Sequence, residues 1–138
     1  LFGVDGGGTK ANSLGLTPLV TINAQASAAH EPGWFTTAPL KAISKVLEKA
    51  NLSSKNIDLW EINEAFGPVV MAAIDEFALD HNKVNINGGA IALGHPIGCS
   101  GARILTTLIH AMIKNNAHTG LATLCIGGGE ASSILVRR

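Results

Sequence analysis

Apolar residues recur along this chain with two different periods. Over 39–50, Leu40, Ile43, Val46, Leu47 and Ala50 fall on one helical stripe. Over 65–78, Ala65, Phe66, Val69, Val70, Ala73, Ile74, Phe77 and Ala78 recur in pairs, with Asp75, Glu76 and Asp80 turned away. Both patterns predict amphipathic helices. Pro39 suits a first helical position, Thr37 can cap the helix and Asn51 can stop it. Proline is tolerated only in a first turn, so Pro68 makes the second helix begin near Ala65 and leaves Asn63 and Glu64 at a strand-to-helix corner. Shorter runs predict strands: the small-residue stretch 19–28, the mostly apolar stretch 57–62 opened by Ser53, Ser54 and Asn56, and a brief third candidate at 84–86. A glycine-rich loop covers 87–101, and Ser100 can cap a third helix over 102–114. The runs 121–126 and 132–136, joined through Gly127, Gly128 and Gly129, read as a hairpin.

The order is therefore βαβαβαββ, an α/β arrangement that calls for a mostly parallel sheet covered by helices. Ligands of open sheets of this kind sit outside the carboxyl ends of the strands. Three segments leave those ends, 63–66, 87–101 and 125–129, and they hold nearly all the reactive side chains.

Composition narrows the partners. At 138 residues the chain has room for one domain. Hydrophobic residues make up 46% of it and charged residues only 14%, against ~25% in an ordinary soluble domain, which suggests that another polypeptide covers part of the surface. Ten basic and ten acidic residues give a net charge of +0, so there is no footprint for nucleic acid or an anionic membrane. Cys99 and Cys125 form no closely spaced pair, so neither a metal site nor a disulfide framework is expected, and a reducing, cytoplasmic location is. Residues 1–10 lack a basic start and a signal-length apolar run, and no window reaches membrane-spanning length.

His95 lies in Gly94-His95-Pro96-Ile97-Gly98, where proline stiffens the backbone and glycines allow tight turns. Imidazole takes and gives a proton near neutrality, so such a held histidine suits general acid/base work; it would also serve merely to satisfy loop backbone groups. Cys125 ends an apolar strand beside three glycines whose NH groups are free to face an anion. Its thiol is a nucleophile or base if those NH groups or a histidine lower its pKa, and a small hydrophobe otherwise. Asn63 reads by itself as a helix N-cap, Cys99 as packing, and His30, His81, His110 and His118 as structural or solvated.

Taken in order, Asn63-Glu64-Ala65-Phe66, then Asn87-Gly88-Gly89-Ala90-Ile91-Ala92-Leu93-Gly94-His95-Pro96-Ile97-Gly98, Ser100-Gly101-Ala102-Arg103 and Cys125-Ile126-Gly127-Gly128-Gly129-Glu130 resemble the C-terminal domain of thiolases. The stretch Glu31-Pro32-Gly33-Trp34-Phe35-Thr36-Thr37-Ala38-Pro39 is most similar to the short-chain, acetoacetyl-CoA branch. The resemblance implies a half-fold of the same βαβαβαββ order with a mixed five-stranded sheet. It also implies acyl transfer between coenzyme A thioesters through a covalent acyl-enzyme, with no permanently bound cofactor. On the same ground His95 would activate the nucleophilic cysteine and help form an oxyanion hole. Cys125 would move the proton of the acetyl methyl group, Asn63 would position a water at the enolate oxygen, and the Gly127 NH would hold the oxyanion of the acylated nucleophile.

Neither Cys99 nor Cys125 matches the motif of the family's nucleophile, so the expected partners are acyl-CoA, coenzyme A and a thiolase N-terminal half or further copies of this chain. The division expected is a thiolase C-terminal domain over 11–138 behind an atypical leader at 1–10. That leader, Leu1-Phe2-Gly3-Val4-Asp5-Gly6-Gly7-Gly8-Thr9-Lys10, resembles instead the phosphate loop of sugar kinases of the actin-like ATPase superfamily. The rival from another class is a non-catalytic module that binds coenzyme A or a partner on a retained thiolase fold.

Overall fold

The computed structural model describes residues 9–138, so residues 1–8 of the expected leader, and the phosphate-loop reading with them, lie outside the described residues. Thr9 and Lys10 open a one-turn helix, α1 (Thr9–Ser13). Then follow β1 (Thr21–Ala29), a 3-10 turn at Pro32–Thr37, α2 (Ala38–Ala50), β2 (Leu59–Ile62), α3 (Gly67–Phe77), α4 (Ala90–Leu93), α5 (Ser100–Lys114), β3 (Thr119–Ile126) and β4 (Glu130–Arg137). Asn51 ends α2 as expected: it takes the left-handed conformation asparagine tolerates, and the Leu52 NH reaches back to the Leu47 carbonyl. α3 begins two residues later than expected, with Pro68 inside its first turn and Phe66 at the cap position.

The sheet is mixed, in the order β1-β4-β3-β2, and within it only β2 and β3 run parallel. It has four strands where five were expected. Val84 makes a single parallel bridge to Trp60, and then Asn85 turns left-handed (φ 48°) and leaves the sheet. The Asn85 side chain completes the pairing instead: its Oδ1 accepts from the Ile62 NH and its Nδ2 donates to the Ile62 carbonyl, both at 2.8 Å. A carboxamide carries a donor and an acceptor spaced like those of a peptide, so one side chain replaces a strand residue.

Alternation along the strands divides the core. Ala26, Trp60, Ile62, Leu121, Cys125 and Leu135 pack with α2 and α3 on one face, while Leu59, Ala122 and Val136 pack with Ile104, Leu108 and Met112 of α5 on the other. Ala38 and Ala42 of α2 meet Ala28 and Ala131, small residues that let helix and sheet approach closely. Lys45 and Lys49 donate to the Ser27 and Gln25 carbonyls of β1, occupying acceptors on an edge strand. At the start of the parallel pair, Asp58 Oδ2 accepts from the His118 and Thr119 NH groups. Burial alone would raise its carboxyl, but those two donors, with Lys83 and His118, bring it below the usual range.

The α5 face carries one charged interruption. Glu61, 1% exposed, faces Arg103 with Oε2 3.4 Å from Nη1, and its other oxygen has no partner. Burial pushes its carboxyl up to about 7; Arg103 pulls it down and Glu64 adds to the rise.

Two predictions follow from this packing. A methyl group at Gly120 would lie 2.5 Å from Met112 Sδ and 3.0 Å from Leu108 Cδ1, so Gly120→Ala should cost about 1–3 kcal/mol in chemical denaturation. Unchanged stability would mean that α5 is not seated against β3 at this point. For Glu61, an unfolded glutamate ionises near ~4.3, whereas the folded one keeps its proton to about 7. Between those values the native state binds the extra proton, so this contribution is fully present below the unfolded value and is lost as pH rises through the folded one. Urea titrations across that window should show the unsubstituted chain losing about 3 kcal/mol more than Glu61→Gln. Parallel pH profiles for the two proteins would show that the ion pair keeps Glu61 ionised throughout.

Candidate active site

Because β2 and β3 are parallel, both end on the same side of the sheet, and the segments that follow them meet there. Asn63 continues β2 by one residue, its NH donating to the Thr123 carbonyl at 3.0 Å, and it is 0% exposed. It is not the N-cap of α3, which is Phe66. Its amide spans the site: Oδ1 accepts from Arg103 Nη2 at 3.5 Å, and Nδ2 lies 3.4 Å from His95 Nδ1 and 3.5 Å from His95 Nε2.

His95 reaches this place through a short helix the sequence did not announce. Glu64 Oε1 accepts from Asn85 Nδ2 and Oε2 accepts from the Ile91 NH, each at 3.0 Å, so a carboxylate from the β2 corner sits at the first turn of α4. A Cβ at Gly89 would collide with that carboxylate, so any larger residue there would have to push Glu64 off its two bonds. α4 then ends at Gly94, whose φ of 92° turns the chain toward His95.

The histidine is held at Nδ1, 2.6 Å from Ser100 Oγ, and the same hydroxyl donates to the Pro96 carbonyl at 3.2 Å. A hydroxyl has one proton; with that proton on Pro96, Nδ1 must carry the hydrogen of the shorter bond. Nε2 is thereby left with its lone pair, the form a general base requires. Ser100 was expected to cap α5. It is instead the first residue of the helix, Cys99 occupies the cap position without a side-chain bond, and the serine hydroxyl serves His95.

Cys125 and Gly127 lie at the end of the neighbouring strand. Cys125 is 7% exposed and belongs to the apolar core on the α2 face. Burial pushes its thiol up, so the condition the sequence left open, a thiol lowered by glycine NH groups or a histidine, is not met, and at neutral pH it rests protonated. Gly127 is exposed in the turn before β4. Among the described residues, no hydrogen bond joins Cys125 or Gly127 to the Asn63 and His95 pair. The sequence reading thus found Asn63 and His95, which touch, and missed Ser100, Arg103, Glu61, Glu64 and Asn85, which hold them. Glu61, the second of two charged residues inside the run 57–62, was the visible sign of a buried partner. The 3-10 turn flanks the same corner: Phe35 meets Phe66 edge to face at 5.9 Å, and His30 Nε2 lies 2.6 Å from the Trp34 carbonyl, so His30 is structural.

This arrangement has known counterparts. Residues 16–138 match the family model described as thiolase, C-terminal domain. The acetyl-CoA acetyltransferase of Escherichia coli (strain K12) is 49% identical over 130 residues, covering 94% of this chain and 33% of that protein. The mitochondrial acetyl-CoA acetyltransferase of Bos taurus is 50% identical over 128 residues, covering 93% and 30%. Among solved structures, the Bacillus anthracis acetyl-CoA acetyltransferase superposes with a TM-score of 0.90 at 43% identity, covering 93% of this chain and 32% of that one. The Acat5 thiolase of Ascaris suum in complex with coenzyme A gives 0.90 at 44%, covering 95% and 34%. The chain spans about a third of the length of these relatives. It belongs to the thiolase family, matching the C-terminal domain.

Proposed function

We propose that this chain works as the C-terminal part of a thiolase-type acyltransferase that condenses or cleaves acyl groups carried on coenzyme A. The observation that carries the reading is the Asn63 amide against His95, with Ser100 fixing the tautomer that leaves Nε2 as base. A thioester enolate and a tetrahedral oxyanion both place charge on an oxygen, and a preoriented donor there is worth ~2.7 to 4 kcal/mol. In this reading Asn63 positions a water that, with His95, stabilises the enolate oxygen. His95 Nε2 accepts the proton of a nucleophilic cysteine, and the exposed Gly127 NH helps hold the oxyanion of the acylated nucleophile. In cleavage Cys125, resting as a thiol, gives its proton to the substrate carbon and becomes a thiolate; condensation runs the step in reverse, the thiolate taking a proton from carbon and becoming the thiol.

The nucleophile comes from another stretch of polypeptide, the thiolase N-terminal half; further copies of this chain would cover surface but bring only Cys99 and Cys125, which do not match its motif. Two features support a covering partner: the chain spans a third of its relatives, and the site is bordered by apolar side chains left open to solvent. Phe66, Ile91, Leu93 and Ile97, on the segments that carry or flank Asn63 and His95, are all exposed, Ile97 by 83%. Residues 11–138 form the domain in this reading and 1–10 a leader. Both thiols are free, in keeping with a reducing compartment such as the cytoplasm.

The test is a division of labour, read in this chain complemented with the nucleophile-bearing remainder of the Escherichia coli relative. His95→Ala should slow formation of the acyl-enzyme by ~10² to 10⁴, whereas Cys125→Ala should acylate normally from acetyl-CoA and fail to exchange the methyl protons. Rapid-quench acylation and proton exchange separate the two steps. Equal loss of acylation in both variants would withdraw the separate roles, and normal condensation in His95→Ala would withdraw the reading.

A further inference from the structure

We propose that Arg103, anchored by Glu61, is a positioning residue that decides which end of the Asn63 amide faces His95. The proposal rests on the reading of Asn63 and His95 as the pair that stabilises the substrate's oxygen.

An asparagine amide has two ends of nearly the same shape and opposite function. If Asn63 were turned over, Oδ1 would face the His95 ring in place of the NH₂ group, and the site would lose its donor. Packing alone does not choose between the two orientations, since both fill the same volume; a neighbour with one-sided hydrogen-bonding capacity does. Arginine is such a neighbour: it has five N–H donors, no acceptor and a permanent charge, so it takes the carbonyl end of an amide and repels the NH₂ end.

The geometry supplies that neighbour and fixes it. Glu61 and Asn63 stand two residues apart, Asn63 extending β2 by one residue, so by strand alternation both lie on the α5 face. Arg103 stands in the first turn of α5 and sends one nitrogen to each: Nη1 to Glu61 Oε2 at 3.4 Å and Nη2 to Asn63 Oδ1 at 3.5 Å. The planar fork therefore has its orientation set at one arm and delivers the other. Ser100, three residues earlier on the same helix, holds His95 Nδ1. One helical turn thus sets both polar groups of the site, the tautomer of the histidine through Ser100 and the orientation of the amide through Arg103. A stabilising ion pair alone has no need of the second arm: hydrophobic residues of similar volume commonly serve stability as well as a buried pair does. Lysine keeps the charge near Glu61 but, as a single point, cannot also reach Asn63 as the fork does.

The experiment is nuclear magnetic resonance on the whole chain, labelled with ¹⁵N and ¹³C. In the unsubstituted protein the Asn63 side-chain NH₂ protons should give a nuclear Overhauser cross-peak to the His95 ring Hε1, and Arg103 guanidinium nitrogens should couple to the Asn63 side-chain carbonyl. Arg103→Lys should keep the backbone amide spectrum of β3 and α5 and lose the Asn63 to His95 cross-peak. Arg103→Met should lose it as well, and Glu61→Gln, which retains an acceptor for the guanidinium, should keep it. A cross-peak of undiminished strength in either folded Arg103 variant would overturn the proposal. So would a folded, unsubstituted chain in which Arg103 and Asn63 show no coupling, a result that needs no variant to fold. Neither readout involves turnover. Acyl transfer can fail in the complemented enzyme while the cross-peaks follow the expected pattern, so the two readings stand or fall separately.

Discussion

The site hangs from one hydrogen-bonded corner, the grip of the Asn85 carboxamide on the Ile62 peptide. Asn85 Nδ2 holds Glu64 as well as the Ile62 carbonyl, and Glu64 in turn holds the Ile91 NH at the start of α4. α4 leads directly through Gly94 to His95. The end of β2, and Asn63 with it, is thereby tied to the loop bearing the histidine by bonds that stay within the domain. Asn85 adopts φ 48° to do this, a conformation asparagine reaches more readily than most residues because its short polar side chain bonds locally. A longer fifth strand would pair with β2 more extensively but would carry the chain away from the corner where α4 begins.

The two faces of the sheet give the groups at its edge opposite electrostatic settings. On the α2 face Cys125 belongs to an apolar cluster that includes Ala26, Ile43, Leu121 and Leu135, and burial keeps its thiol protonated. On the α5 face Glu61, Arg103 and Asn63 form a buried polar chain that reaches His95 and Ser100. Burying such groups costs stability, as the raised carboxyl and unpartnered Oε1 of Glu61 make plain. A thiol that exchanges a proton with carbon gains from an apolar wall, because the neutral form is then the resting one. A histidine and an amide that meet developing negative charge gain from fixed donors. Placing the groups on opposite faces of one sheet lets a small domain provide both environments side by side.

Elements whose stability comes from repetition were legible in the sequence. The stripe of α2, its stop at Asn51 and the closing hairpin each repeat or punctuate a pattern. The loop of His95 was legible for another reason: glycine and proline restrict backbone geometry whatever surrounds them. The missing strand escaped because Val84, Asn85 and Ile86 alternate no differently from a true strand, and what ends the pairing is one backbone angle. Ser100 was misread because a serine before an apolar helix is usually its cap, and only the fold brings His95 within reach of its hydroxyl. Arg103 and Glu61 lie 42 positions apart, and no local pattern relates them. The mostly parallel sheet was a fair inference from alternating elements, but β1 pairs with β4 rather than with β2, and the order of elements along a chain does not specify which strands become neighbours.

The orientation of the donor set has a consequence for how a nucleophile can be supplied. The bonds that fix His95 and Asn63 come from α5, β3 and the loop before α5, so the pair is ordered by the folding of the domain itself. Under the proposed function, a partner that brings a cysteine to Nε2 would have to provide position alone, and the cost of ordering these groups would not be drawn from the free energy of association. Such an arrangement favours a rigid, large apolar contact over a specific polar one between the parts, because the polar groups near the seam are already committed. The exposed side chains of Phe66, Ile91, Leu93 and Ile97, on the segments that carry or flank the site, are of the kind such a contact uses. Under the proposed function precision is divided: hydrogen bonds within the domain set angles and the histidine tautomer, and apolar packing against the covering polypeptide would set the distance at which a sulfur meets Nε2.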